Sequence, residues 1–203
     1  MINTTGRCRM FHETARRALF PVVLWLLSLP APAGELSGIP AAAPPAFDLP
    51  DLAGRRHRLD EFAGRVLLVT FWASWCRPCI EEMPAIQRLT AALADRPFTV
   101  IGVNVGEAER RVQATVKRLG IDFPILLDKD SVAFRNWDAV VLPTAYVLDG
   151  SGSIRYIGRG PVGWDREDIV AMLVELAEQP VPARQGGTAS LSPDDHGAAS
   201  RSE

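Results

Sequence analysis

Cysteine is scarce in this chain, with three among 203 residues, at positions 8, 76 and 79. Histidine is as rare, and His57 and His196 stand alone. A structural zinc site takes four ligands, usually two cysteine pairs or one pair with two spaced histidines, so ligand count argues against structural zinc. The residue after Cys79 is Ile80, where a covalently attached haem needs histidine. No block of basic residues occurs, and 22 Lys+Arg against 24 Asp+Glu leave a formal net charge of −2. Such a balance carries no electrostatic footprint for nucleic acid. The longest apolar run, ALFPVVLWLLSL over residues 18–29, falls short of the roughly 20 residues that span a bilayer. No cysteine stands directly after that run, where a lipid-anchored lipoprotein needs one.

The run itself is informative. Arg7, Arg9, Arg16 and Arg17 precede it and PAPAG follows, so residues 1–33 have the three parts of a signal peptide cleaved after Ala33. Retained, residues 18–29 give a membrane anchor instead. Either outcome exports the rest of the chain and leaves Cys76 and Cys79 as the only cysteines in a compartment where disulfides form. Residues 34–46 are mostly Pro, Gly and Ala and read as a linker. Residues 179–203 have almost no large apolar side chain and read as a disordered tail. One domain, residues 47–178, remains.

Within it, residues 47–52 and 55–59 flank Ala53-Gly54 and predict a β-hairpin. Residues 66–72 and 98–105 are apolar runs expected of strands buried on both faces. Helices are predicted from Pro78 to about Ala94, with a kink at Pro84, and over 108–119, where Gly120 stops the second. A short strand over 123–127 and a helical turn over 132–137 follow. Strands over 144–148 and 154–157 flank DGSGS, and an amphipathic helix over 164–177 closes the domain. Alternating strands and helices with a final hairpin predict an α/β fold with a mixed sheet flanked by helices.

Cys76 and Cys79 lie where a buried strand gives way to a helix. Unpaired N–H groups and the helix dipole favour a thiolate there, and Arg77 adds a positive charge. A purely structural disulfide closing so small a loop removes little unfolded-state entropy. A CxxC after a buried strand in this pattern is a thioredoxin-type redox motif. Glu82, three residues beyond Cys79, shares its helical face. Glu107, after the second buried strand, reads as a surface or helix-start residue.

The segments FDLPDLAG, LLVTFWASWCRPCIEEMP, VIGVNVGE, FPILLD and LPTAYVLDGSG, in this order and spacing, resemble the exported thioredoxin-like thiol–disulfide reductases of the TlpA/ResA-like group. The resemblance covers residues 47–177. It implies a thioredoxin fold, Cys76 as attacking thiol, Cys79 as resolving thiol, and Pro143 as a cis-proline facing them. It also implies disulfide substrates in exported proteins such as apocytochrome c or a copper-assembly protein, a membrane-bound thiol donor and no cofactor. Two positions depart from the wider pattern. Thr70 stands where thioredoxins carry a buried aspartate, so Glu82 is expected to handle the Cys79 proton. Val141 stands where glycine is frequent, which narrows the substrate groove. A disulfide oxidase or isomerase using the same pair, and a copper carrier with Met83 nearby, are the alternative functions.

Overall fold

Every residue of Val66–Trp72 is buried, and sheet topology gives the reason: this strand is central, with partners on both edges and cover on both faces. The computed structural model describes residues 34–180, so the signal-peptide reading, and all but the first two residues of the tail, lie outside the described residues. Among those residues the order is β1 (Leu36–Ala42), β2 (Asp48–Pro50), β3 (Arg56–Arg58), a 3-10 turn (Leu59–Phe62), β4 (Val66–Trp72), α1 (Arg77–Ala92), β5 (Phe98–Val105), α2 (Glu109–Leu119), β6 (Ile125–Asp128), α3 (Val132–Asn136), β7 (Thr144–Leu148), β8 (Ile154–Arg159) and α4 (Glu167–Glu178).

Six strands form one sheet in the order β1-β8-β7-β4-β5-β6. β4, β5 and β6 are parallel, whereas β7, β8 and β1 join antiparallel. The sheet is mixed, as predicted. Side chains alternate along each strand, so β4 sends Val66, Leu68 and Trp72 to one core and Leu67, Val69 and Phe71 to the other. The first core is covered by α1, α2 and α4; the second holds Phe47, Phe134, Trp137 and Tyr146, with Phe71 edge-on to the last three. The predicted hairpin is β2–β3, a separate two-stranded sheet. Gly102, in the middle of β5, is explained by crowding: a Cβ there would lie 2.7 Å from Ile125 Cδ1 and 3.1 Å from Trp72 Nε1.

Element boundaries shift little. α1 begins one residue before Pro78 and is unbroken through Pro84; that proline has no N–H to donate to the preceding turn. Gly120 ends α2 in the left-handed conformation, φ 62°. α4 begins at Glu167, leaving Trp164 fully buried in the loop before it.

One reading needs correction. The stretch 34–46, taken from its composition as a linker, carries β1, the edge strand of the main sheet, paired with β8 from Leu36↔Gly158 onward. An edge strand hydrogen-bonds on one side only, so it tolerates Pro40, which a central strand excludes. Its apolar anchors are few: Leu36 packs against the helix-side core and Ile39 against the other. The chain is already fixed at Gly34, whose N–H donates to the Pro161 carbonyl at 2.5 Å. A methyl group on Gly34 would meet the Arg159 carbonyl oxygen at 2.7 Å, so the close approach requires glycine.

Candidate active site

β4 ends at Trp72, three residues turn, and Cys76 caps α1. The turn is tied by the Cys76 N–H, which donates to the Ala73 carbonyl at 3.1 Å. Cys76 and Cys79 are joined as a disulfide. The Cys79 N–H donates to Cys76 Sγ at 3.3 Å, so the helix start already directs a donor at this sulfur. Cys76 is 5% exposed and Cys79 0%. An incoming thiol or disulfide therefore reaches Cys76 first. Arg77 is turned to solvent and its Nε donates to Glu81 Oε1 at 2.7 Å. Its charge is matched by Glu81, so the helix start, rather than Arg77, is the main support for a thiolate at Cys76.

Glu82, one turn beyond Cys79, is 5% exposed. Burial pushes its carboxyl up to about 7 from an ordinary 4.5. Opposing that shift, the Val162 N–H donates to Oε2 at 3.1 Å. The Trp164 indole and the Thr70 hydroxyl also favour the anion, although neither meets hydrogen-bond geometry. The loop after β8 thus supplies the backbone donor to the Glu82 carboxylate. A carboxyl that titrates near neutrality beside a thiol pair can take or give a proton during exchange.

The Leu142–Pro143 peptide bond is cis and Pro143 is buried. β7 starts at Thr144 opposite Phe71, which sets Pro143 beside Trp72, at the strand end from which the cysteine turn leaves. The Pro143 carbonyl accepts from Gly160 N–H at 2.9 Å, tying this segment to the loop that carries Val162. Cys76, Cys79, Glu82 and Pro143 therefore gather at one end of the sheet. Large apolar side chains stand exposed there: Trp75 at 66%, Val140 at 71% and Val141 at 46%. Exposed apolar groups beside a reactive pair suit a polypeptide partner.

Glu107 does not sit where the sequence placed it. It is 7% exposed, and its carboxylate accepts from Ser74 N–H at 2.6 Å, Ser74 Oγ at 2.5 Å and Asn104 Nδ2 at 2.8 Å. The signal available in sequence was a polar residue, Asn104, inside an otherwise apolar strand, followed by a turn glycine and an acid.

The AhpC/TSA family profile matches residues 40–157. The chain is 34% identical over 125 residues to the thiol-disulfide oxidoreductase ResA of Geobacillus thermodenitrificans, covering 62% of this chain and 71% of that protein. It is 37% identical over 119 residues to the thioredoxin-like protein YneN of Bacillus subtilis, covering 57% and 69%. Among solved structures, a thioredoxin-family thiol:disulfide interchange protein from Chlorobium tepidum superposes with TM-score 0.59 at 26% identity, over 68% of this chain and 99% of that one. StoA from Bacillus subtilis superposes with TM-score 0.55 at 25% identity, over 68% and 99%.

Proposed function

The chain belongs to the AhpC/TSA family and is a thiol–disulfide oxidoreductase of thioredoxin fold, and we propose that it works outside the cytoplasm as a reductant of disulfides in exported proteins. The observation that carries this reading is the Cys76–Cys79 pair at the start of α1 with a buried carboxyl, Glu82, on the same helix face.

In the reduced protein the Cys76 thiolate attacks one sulfur of a substrate disulfide. A Cys76–substrate disulfide forms and the other substrate sulfur leaves as a thiolate. Cys79 then loses its proton, for which Glu82 is the acceptor, and attacks Cys76 Sγ. The second substrate sulfur leaves and takes up a proton. Two electrons have passed to the substrate, and the protein is left with its Cys76–Cys79 disulfide. A second thiol protein, for which a membrane-bound donor is proposed, returns two electrons by the same exchange in reverse.

Direction follows from which thiol forms are stabilised. A stabilised thiolate makes a pair oxidising. The helix start stabilises thiolate at Cys76, whereas the Glu82 anion disfavours a second negative charge at Cys79. Glu82 is buried and therefore weakly screened, while Arg77 is exposed and matched by Glu81. The balance favours a reductant. Equilibrating the purified protein in glutathione buffers is expected to give a potential nearer about −270 mV than about −120 mV. A value at the oxidising end retires the reductase direction in favour of a disulfide oxidase.

Export is proposed from the pattern over residues 1–33. Cleavage after Ala33 makes Gly34 the first residue, and mass measurement of the natively exported protein is expected to find it there. An intact N-terminus in the membrane fraction means that residues 18–29 are kept as an anchor. Apocytochrome c and a copper-assembly protein are the proposed substrates, on the resemblance of the motif segments alone.

A further inference from the structure

We propose that Glu107 is a positioning residue for the reactive thiol: it fixes the turn between β4 and α1 through Ser74, and so sets Cys76 at the helix cap. The inference rests on Cys76 being the attacking thiol.

The geometry starts from β5. Trp72, the last residue of β4, is paired with Asn104, so the polar side chain of Asn104 sits level with the end of the strand that delivers the cysteines. Gly106 then turns the chain at φ 69°, a conformation that favours glycine. Its N–H donates to the Asp128 carbonyl at 3.0 Å, tying the turn to β6. The turn brings Glu107 back over the β4 exit. There its carboxylate meets three donors, two of them from Ser74. A carboxylate only accepts, so Asn104 must present its amide nitrogen, and its carbonyl oxygen has no hydrogen-bond partner.

The pattern is costly for a merely decorative acid. Glu107 is 7% exposed and Asn104 is 1% exposed; burying such groups is unfavourable unless their hydrogen bonds are made. What those bonds hold is short and irregular. Residues 73–75 belong to no helix or strand. Within the turn, the bond from Cys76 N–H to the Ala73 carbonyl closes its own ring, while the Ser74 N–H and hydroxyl both bond to Glu107. Glu107 thereby ties the cysteine turn to the neighbouring strand. Cys76 Sγ receives the Cys79 N–H only while this turn holds Cys76 as the cap of α1. The charged side chains flanking the pair along α1 bond elsewhere, Arg77 to Glu81 and the buried Glu82 to the Val162 N–H.

The test is the rate of alkylation of Cys76 by iodoacetamide in the reduced full chain, followed from pH 5 to 9, in Glu107→Gln and Ser74→Ala. Glu107→Gln removes acceptor capacity and formal charge but keeps shape. Ser74→Ala removes one hydrogen bond and leaves the carboxylate in place. Positioning predicts that both raise the pH midpoint of Cys76 reactivity, with the rate at pH 7 falling roughly fivefold, the scale of one lost hydrogen bond. It also predicts that the double variant loses less than the two single effects combined, because both act through one contact. A direct charge effect predicts the opposite sign for Glu107→Gln and no change for Ser74→Ala, and would overturn the proposal. So would midpoints unchanged in both variants while thermal stability falls, since that is the mark of a purely structural bond. If Cys76 of the unsubstituted protein is not the reactive thiol, the mechanism above fails first, and this inference with it.

Discussion

Cys76→Ala reduces the rate of protein-disulfide reduction to the uncatalysed background, a fall of at least about a thousandfold, whereas Cys79→Ala stalls the protein as a covalent complex with its substrate. The asymmetry comes from exposure and from the helix start. Cys76 is the cysteine with exposed surface, and it receives the Cys79 N–H; Cys79 is fully buried. Without Cys79 the mixed disulfide on Cys76 has no internal thiol to resolve it. Non-reducing electrophoresis of the two variants, with mass spectrometry of the bands above their own mass, reads the outcome. If Cys76→Ala forms mixed disulfides through Cys79 as readily as Cys79→Ala does through Cys76, the assigned roles are wrong.

Glu82→Gln is expected to stabilise the protein at alkaline pH and to leave its stability near pH 4 little changed. In the unfolded chain this carboxyl titrates near 4.5; in the folded protein burial raises it to about 7. Below 4.5 both states hold the proton and nothing is lost. Between the two values the folded state binds more protons than the unfolded one, so stability falls as pH rises. Above 7 the loss is complete, on the order of 3 kcal/mol. Glutamine is neutral throughout and escapes that loss, while its side-chain oxygen still accepts from Val162. The difference in thermal midpoint between variant and parent should therefore open between pH 4 and pH 8. The same substitution should remove an inflection near pH 7 from the rate of disulfide exchange. A stability difference that does not depend on pH would show that the Glu82 carboxyl does not titrate as a buried acid.

A protein that keeps a destabilising carboxyl in its interior makes sense if that group is used. β4 and β5 announce themselves because a strand buried on both faces is apolar at nearly every position. Cys76 and Cys79 are legible because their spacing places them at a strand-to-helix junction, and Glu82 because three residues along a helix is one turn. β1 gave no such signal. An edge strand rich in Pro, Gly and Ala is held by the backbone of β8 more than by its own side chains, and composition does not record a partner 120 residues away in sequence. Glu107 was hidden for a related reason. Its three donors come from Ser74 and Asn104, and the longer of these links is visible only once β4 and β5 lie side by side. The loop covering Glu82 likewise follows β8, far along the chain from α1.

The seat of Gly34 has a directional meaning. Its N–H is bonded to Pro161, the next residue, Val162, is bonded to Glu82, and Gly160 is bonded to Pro143, so the chain enters the domain at the thiol end of the sheet rather than the far end. Four residues separate Leu29 from Gly34, a leash of at most about 18 Å when fully extended. Were residues 18–29 kept in the bilayer, the thiol end of the sheet would be the end nearest the anchor. Were the chain cut after Ala33, the leash would be replaced by a free ammonium group at Gly34, a new positive charge one peptide unit from the residue that holds Glu82. Processing at this one bond would thus decide whether an anchor or a free positive charge stands at the thiol end.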